Sequence, residues 1–455
     1  MKQGIRGKIL VFGLILLPVV NAYTQAPPAA KSVFTSDPTG KVSQNAGPVL
    51  SLPDAIDLAL KQASSFRGSQ IGERIAAEDI RQAKSAFYPK FEAKPNYIFT
   101  SPSLGPVRPR LPSYVGANAI NEIQGLVVAS GEIDTSGKLN ATLRHNQALL
   151  ASARAGTEIA RRDLIQGVSD AYYGLGLATV KRTGAEKNLV VAEEFENNTK
   201  LLLDAGEVAP VDLVRARLQT AARRDELEQS RTDESVNASG LRSLVGYGFT
   251  DTVAVQDLMT QMPADNEIER FAETAIATRP EFAQFEADRK VAETEIDAAK
   301  AGRRPQFTYS VSSGFISDSL AATHLKDSLG VQVNVGVTIP IFDWGAARSR
   351  ETQARLRLQQ AENTRQIAER QFAQAFFTAR TQAISARTRI RLIAAAITDA
   401  EANVSASTAR YRSGEATIIE VTDAQNLLIT QKTALYQAIF DYQTARSRLM
   451  RAAGQ

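Results

Sequence analysis

The chain has 455 residues, 44% of them hydrophobic and 22% charged, a formal charge of +4 and no cysteine. That length accommodates two or three ordinary domains or one large one, and the composition argues against wholesale disorder. Without cysteine there is no thiol nucleophile, cysteine-held zinc, iron–sulfur cluster or disulfide framework, and two histidines, His145 and His324, are thin material for a metal or acid–base site. These facts argue against an enzyme, and no cofactor or metal is expected.

In chain order, Lys2, Arg6 and Lys8 precede a mostly apolar stretch, Ile9 to Val20, with small residues at Ala22 and Ala26. This pattern predicts a secretory signal peptide over 1–26, too short to span a bilayer. Its removal takes away three basic residues and no acidic one, which lowers the formal charge to +1 and leaves no case for nucleic-acid binding. Beyond it, no run of eighteen apolar residues occurs, which excludes a helical membrane protein. A Pro/Ala/Ser-rich stretch over 27–49 reads as an extended linker.

The rest of the sequence is written twice. Ile80, Ala83, Lys84, Pro89 and Phe91 return 216 residues later as Ile296, Ala299, Lys300, Pro305 and Phe307, and Phe66 returns as Phe282. Gly137, Ala153, Gly206, Ala216 and Gly246 return 208 residues later as Gly345, Ala361, Gly414, Ala424 and Gly454. The offset falls by eight because the loop after Pro89 is longer than the one after Pro305. A tandem duplication follows, with repeats over 50–246 and 265–455 joined by a linker over 247–264.

Each repeat runs helix, two strands, very long helix, glycine turn, second helix. The helical segments, Ser51 to about Ala86 and Asp265 to about Gly302, each end in a proline. Lys138 to Leu203 and Ala346 to Tyr411 contain no proline and are rich in strong helix formers. Some 66 residues of helix measure roughly 100 Å, too long to fold around a compact core. Abundant alanines, such as Ala394, Ala395 and Ala396, let such helices approach neighbours on two sides, as in a wall of helices or a coiled coil.

The strands carry the most information. From Leu329 to Asp343 one face reads Leu329, Val331, Val333, Val335, Val337, Ile339, Ile341 and the other Gly330, Gln332, Asn334, Gly336, Thr338, Pro340. Phe307, Tyr309 and Val311 alternate with Thr308 and Ser310, and Phe91, Ala93 and Tyr97 with Glu92, Lys94 and Asn96. The strand Ile123 to Ile133 is weaker, because Leu126 and Val128 fall on its polar face. A half-buried sheet and a transmembrane barrel both produce this period of two. An uncharged polar face in the best strands, aromatics near strand ends (Phe87, Tyr88, Phe91, Phe342, Trp344) and an exported chain without a membrane helix favour the barrel. Four strands cannot close in lipid, where open edges are not tolerated. Two chains would make a filled eight-stranded barrel and three a twelve-stranded one with room for a channel; the second is preferred.

These features, with Leu50-Ser51-Leu52 before Ala55-Ile56, Ile339-Pro340-Ile341-Phe342-Asp343-Trp344-Gly345, and Tyr411-Arg412-Ser413-Gly414 continuing to Gln425, resemble the TolC-type outer-membrane efflux protein family over residues 50 to 455. The resemblance implies an α+β fold: a homotrimer with a twelve-stranded barrel in the outer membrane and a helical tunnel reaching into the periplasm. It further implies a passive exit duct serving an inner-membrane pump through a periplasmic adaptor protein. A duct for type I protein secretion and a non-conducting structural protein spanning the envelope are the rival readings.

Under the same resemblance, Gly206 and Gly414 are the tip turns farthest from the barrel. Glu420 and Asp423 are the acidic ring at the periplasmic aperture, and Asp212 and Tyr411 belong to a polar latch. Acids in the first turn of a helix are also favoured by its dipole, without any ring. Ala416 stands where the latch pattern has an arginine, with Arg412 the candidate substitute. Arg223-Arg224-Asp225-Glu226 reads as a solvated helix face, and His145 and His324 as ordinary helix or loop residues.

Overall fold

The computed structural model describes residues 49–101, 120–258, 262–264, 266–271, 273–413 and 415–454, with the backbone alone at 273–275, 411, 412 and 418. The expected signal peptide and all but the last residue of the linker after it lie outside the described residues. The elements are β1 (Val49–Leu50), α1 (Leu52–Lys61), α2 (Ser65–Ser85), β2 (Lys90–Phe99), β3 (Asn121–Ile133), α3 (Lys138–Asp204), α4 (Pro210–Val245), β4 (Ala254–Val255), α5 (Pro280–Ala301), β5 (Gln306–Ser317), α6 (Ala322–Asp327), β6 (Leu329–Thr338), α7 (Ala346–Arg412) and α8 (Ile418–Ala452).

Two helices of 67 residues, α3 and α7, dominate the molecule. Neither contains a proline, and each starts on a left-handed glycine, Gly137 with φ 82° and Gly345 with φ 85°. A carboxylate just upstream satisfies the free amides of each first turn. Asp134 accepts from the Leu139 and Asn140 N–H groups at 3.0 and 2.9 Å, and Asp343 accepts from the Ala347 N–H at 2.7 Å. The two starts share an equivalent glycine, while the carboxylate sits three residues before it in the first copy and two before it in the second.

The helical lead-in to each sheet departs from expectation. In the first repeat it breaks in two, because Gln62 leaves the helix in an extended conformation and Ser64 caps a new one. In the second, short 3₁₀ turns at Ile268–Arg270 and Glu273–Thr278 precede α5, which starts on Pro280. Proline at that position has no amide to waste.

The main sheet is antiparallel in the order β2-β3-β5-β6. Among the described residues each outer strand is paired on one side only. Cross-strand pairing places Phe91, Ala129, Val311 and Val333 on one face and Lys90, Ser130, Ser310 and Asn334 on the other. The apolar face is bare: Val331 is 70% exposed and Val333 65%. β6 stops at Thr338, short of the expected end, as Pro340 cannot donate to the ladder. Two glycines of β3 sit beneath aromatic rings of β5. A Cβ on Gly125 would strike the Phe315 ring at 2.5 Å, and one on Gly131 would strike the Tyr309 hydroxyl at 2.5 Å. These ring-over-glycine pairs pin the register.

The apolar core lies midway along the helices. It gathers Ala55 and Ala59 of α1, Val168 and Tyr172 of α3, Leu241 of α4, Phe376 of α7 and Ile439 and Tyr442 of α8. The segment between the repeats is tied to it. Tyr172 donates to the Leu50 carbonyl at 3.0 Å and accepts from the Gln256 N–H at 3.2 Å, beside the parallel pair β1–β4. Glu267 accepts from Tyr442 at 3.0 Å and from Arg446, while Arg387 of α7 grips Glu269 with both terminal nitrogens at 2.7 and 3.1 Å. That grip holds the Glu269 carboxyl below the usual range. Burial, reinforced by Glu267, drives the Tyr442 phenol well above its own.

Candidate functional site: the helix tips and the sheet–helix junction

At the first tip α3 ends in a Schellman turn. The Glu207 N–H reaches the Leu202 carbonyl at 2.9 Å, the Gly206 N–H reaches Leu203 at 2.9 Å, and Gly206 takes φ 78°. At the second tip the corresponding long-range bond runs from the Glu415 N–H to the Arg410 carbonyl at 2.9 Å. Gly414 itself and the Tyr411 side chain lie outside the described residues.

The helices leaving the two tips are fastened differently. α4 starts on Pro210 after Ala209, which offers no side-chain cap. α8 starts with a capping box: Thr417 accepts from the Glu420 N–H and the Glu420 carboxylate accepts from the Thr417 N–H. Arg410 then binds the Glu420 carboxylate at 3.3 Å and the Glu415 carbonyl at 3.3 Å, which staples the end of α7 to the start of α8. Arg410 was not singled out in the sequence; its position one turn before the second glycine is the only hint. Ala416 carries no cation, and the Arg412 side chain is outside the described residues.

Asp212 and Asp423 line one groove of about 520 Å³ between α3, α4 and α8, together with Phe195, Leu202, Val208 and Arg223. Asp212 lies 3.6 Å from Arg215. Glu420 is not part of this lining and turns to Arg410 instead. Arg223 belongs to the run read as a solvated face, yet it crosses to α8 and donates to Asn426 at 3.1 Å, while Arg224 reaches Glu193 of α3 at 2.9 Å. Arg224, Asp225 and Glu226 are exposed, as expected of a solvated face, and the two arginines also link helices. Of the histidines, His145 meets Thr294 of α5 at 3.2 Å and His324 meets Asp318 at 3.1 Å. Among the described residues no cluster of His and carboxylates could hold a metal ion, and no helix is long and apolar enough to cross a membrane.

Higher up α3, at the level of the core, burial pushes the Asp170 carboxyl up, opposed by the Arg448 guanidinium and a Gln166 hydrogen bond, and one carboxylate oxygen has no partner. At the sheet–helix junction, Ile341, Phe342 and Trp344 are 92, 73 and 90% exposed. The Phe342 and Trp344 rings meet edge to face at 4.8 Å, and Trp344 has φ 56°, a left-handed conformation costly for a side chain this large.

The family model for outer membrane efflux proteins matches residues 55–247 and again 272–455. The chain is similar to the outer membrane efflux protein BepC of Brucella suis, 23% identical over 404 residues, covering 89% of this chain and 85% of that one. It is 20% identical over 406 residues to the outer membrane protein TolC of Escherichia coli, covering 86% and 79%. Among solved structures, the CmeC outer membrane channel of Campylobacter jejuni superposes with a TM-score of 0.77 at 18% identity, over 89% of this chain and 85% of that one.

Proposed function

The chain belongs to the outer membrane efflux protein family, and from that premise we propose how its parts form and gate a duct. The protein is an outer-membrane channel whose helices reach into the periplasm, in the trimeric TolC-type fold. The observation that carries the mechanism is the four-stranded sheet with one bare apolar face and two open edges. In lipid such edges must be paired. Three copies supply twelve strands, with β6 of one beside β2 of the next, antiparallel throughout. The Val331–Val333–Val335 face then meets lipid and the Gln332–Asn334 face meets water.

The finer assignments rest on this arrangement. The repeats span 50–246 and 265–455, with 247–264 as the strap between them. Phe342 and Trp344 sit at the membrane interface, where aromatic rings partition best. Gly206 and Gly414 turn the chain at the inner end. Asp423 of each copy faces the closed aperture with Glu420 behind it, and like charges at close range attract cations. Asp212 and Tyr411 form the latch, and Arg410 supplies its cation. Transport is downhill within the duct, so a periplasmic adaptor and an inner-membrane pump provide the coupling.

The test is a planar-bilayer recording of the purified protein. Glu420→Gln with Asp423→Asn is expected to lower cation selectivity several-fold. Unaltered selectivity removes the aperture assignment, and particles without threefold symmetry on imaging remove the mechanism.

A further inference from the structure

Near the helices the water-facing side of the sheet carries charge in pairs, except at Lys90; at the far end of the same face Glu122 meets only the Gln124 carboxamide among the described residues. Glu92 and Lys94 are 3.1 Å apart, and Glu132 and Lys138 are 3.4 Å apart. Lys90, at the start of β2, is exposed and has no ion pair among the described residues. Its cross-strand partners run Ser130, Ser310, Asn334, a polar row across all four strands, with Thr308 one step along β5 on the same face. Among the described residues none of these five side chains makes a hydrogen bond or ion pair. With Glu132, whose carboxylate is countered by Lys138, they line a recess of about 460 Å³ where the sheet meets the helices, bounded by Ala86 and Leu139. Its floor is shaped by Gly336, where a Cβ would crowd the Thr308 hydroxyl at 3.0 Å.

We propose that this recess is a weak binding station for the oxyanion group, phosphate or carboxylate, of molecules passing through the duct, with Lys90 as its charge and the hydroxyl and carboxamide row as its hydrogen-bond donors. An ammonium beside donors not committed elsewhere suits an oxyanion, and a concave wall focuses the field of the lysine. The station is opposite in sign to the aperture. A solute that carries both charges meets a carboxylate ring on entry and an ammonium ring where the tunnel becomes the barrel. The inference rests on the duct reading, because only closure by three copies turns this face into a lumen.

The test is the full-length protein in a planar bilayer at about 0.1 M potassium chloride, with millimolar inorganic phosphate or acetate added from the barrel side. Phosphate is expected to lower the current about two-fold and acetate less. Lys90→Gln is expected to lose the response and Lys90→Arg, which keeps the charge, to retain it. An equal response in the native protein and Lys90→Gln, or none in the native protein and Lys90→Arg, overturns the station while leaving the duct intact. Absence of any conductance in all three proteins removes the duct reading and the station together.

Discussion

The two tips descend from one duplicated unit, both carry a backbone bond that reaches five residues back, and are held in different ways. The first turns through Gly206 into a helix started by Pro210, with no side-chain cap and only a 3.6 Å contact between Asp212 and Arg215. The second has a reciprocal capping box and an arginine bound to both a carboxylate and a carbonyl. That bond recurs at Glu207 and Glu415, and at the first tip it depends on Gly206 in the left-handed position. The fastening diverged because any side chain that reaches can supply it. The consequence is a hairpin with a free end beside one with a stapled end, so the α3–α4 tip is expected to open first.

Amide hydrogen exchange at the tips measures this difference directly, because it reads local opening. Gly206→Ala places a Cβ in open space, so the change is conformational strain alone, about 1–2 kcal/mol, and exchange at Glu207 is expected to quicken about tenfold or more. Thr417→Ala removes the capping box and is expected to cost about 1 kcal/mol at the start of α8, bringing the second tip close to the first. If exchange there stays slow, Arg410 alone holds the tip. Ala209→Ser installs a cap on α4 and is expected to slow exchange by about 0.5–1 kcal/mol. No slowing would mean that Pro210 already sets the start. Arg410→Ala breaks an exposed pair and is expected to cost at most about 0.5 kcal/mol of stability, with its main effect a higher open probability in bilayer recordings.

The long helices were legible because 66 residues without proline, rich in alanine, leucine, glutamate and arginine, leave a helix few alternatives. The sheet faces were legible because alternation has only one period to match; Leu126 and Val128 of β3, with Ile98 and Ile316 on the neighbouring strands, break it on the polar face. The break at Gln62 was not, since Ser64 is one of many serines and becomes a cap only when the chain before it unwinds. The shortened β6 was signalled by Pro340, whose missing donor counts for more than the apolar alternation around it. Among the candidate site residues, Asp212 and Asp423 meet at one groove although 211 positions separate them. Arg410–Glu420 and Arg223–Asn426 were hidden because they depend on where two helix ends come to rest, and that is set by tertiary packing rather than by spacing.

Trp344 is the only tryptophan in the chain, and it stands at the seam between sheet and helices with its indole uncovered. Ultraviolet emission from this protein therefore comes chiefly from one place, two residues before α7 begins. Arrival of the seam in a lipid environment shifts that emission to the blue, while circular dichroism follows the helices independently. The order of the two events, insertion before coiling or coiling before insertion, can thus be timed on the native sequence without attaching a dye.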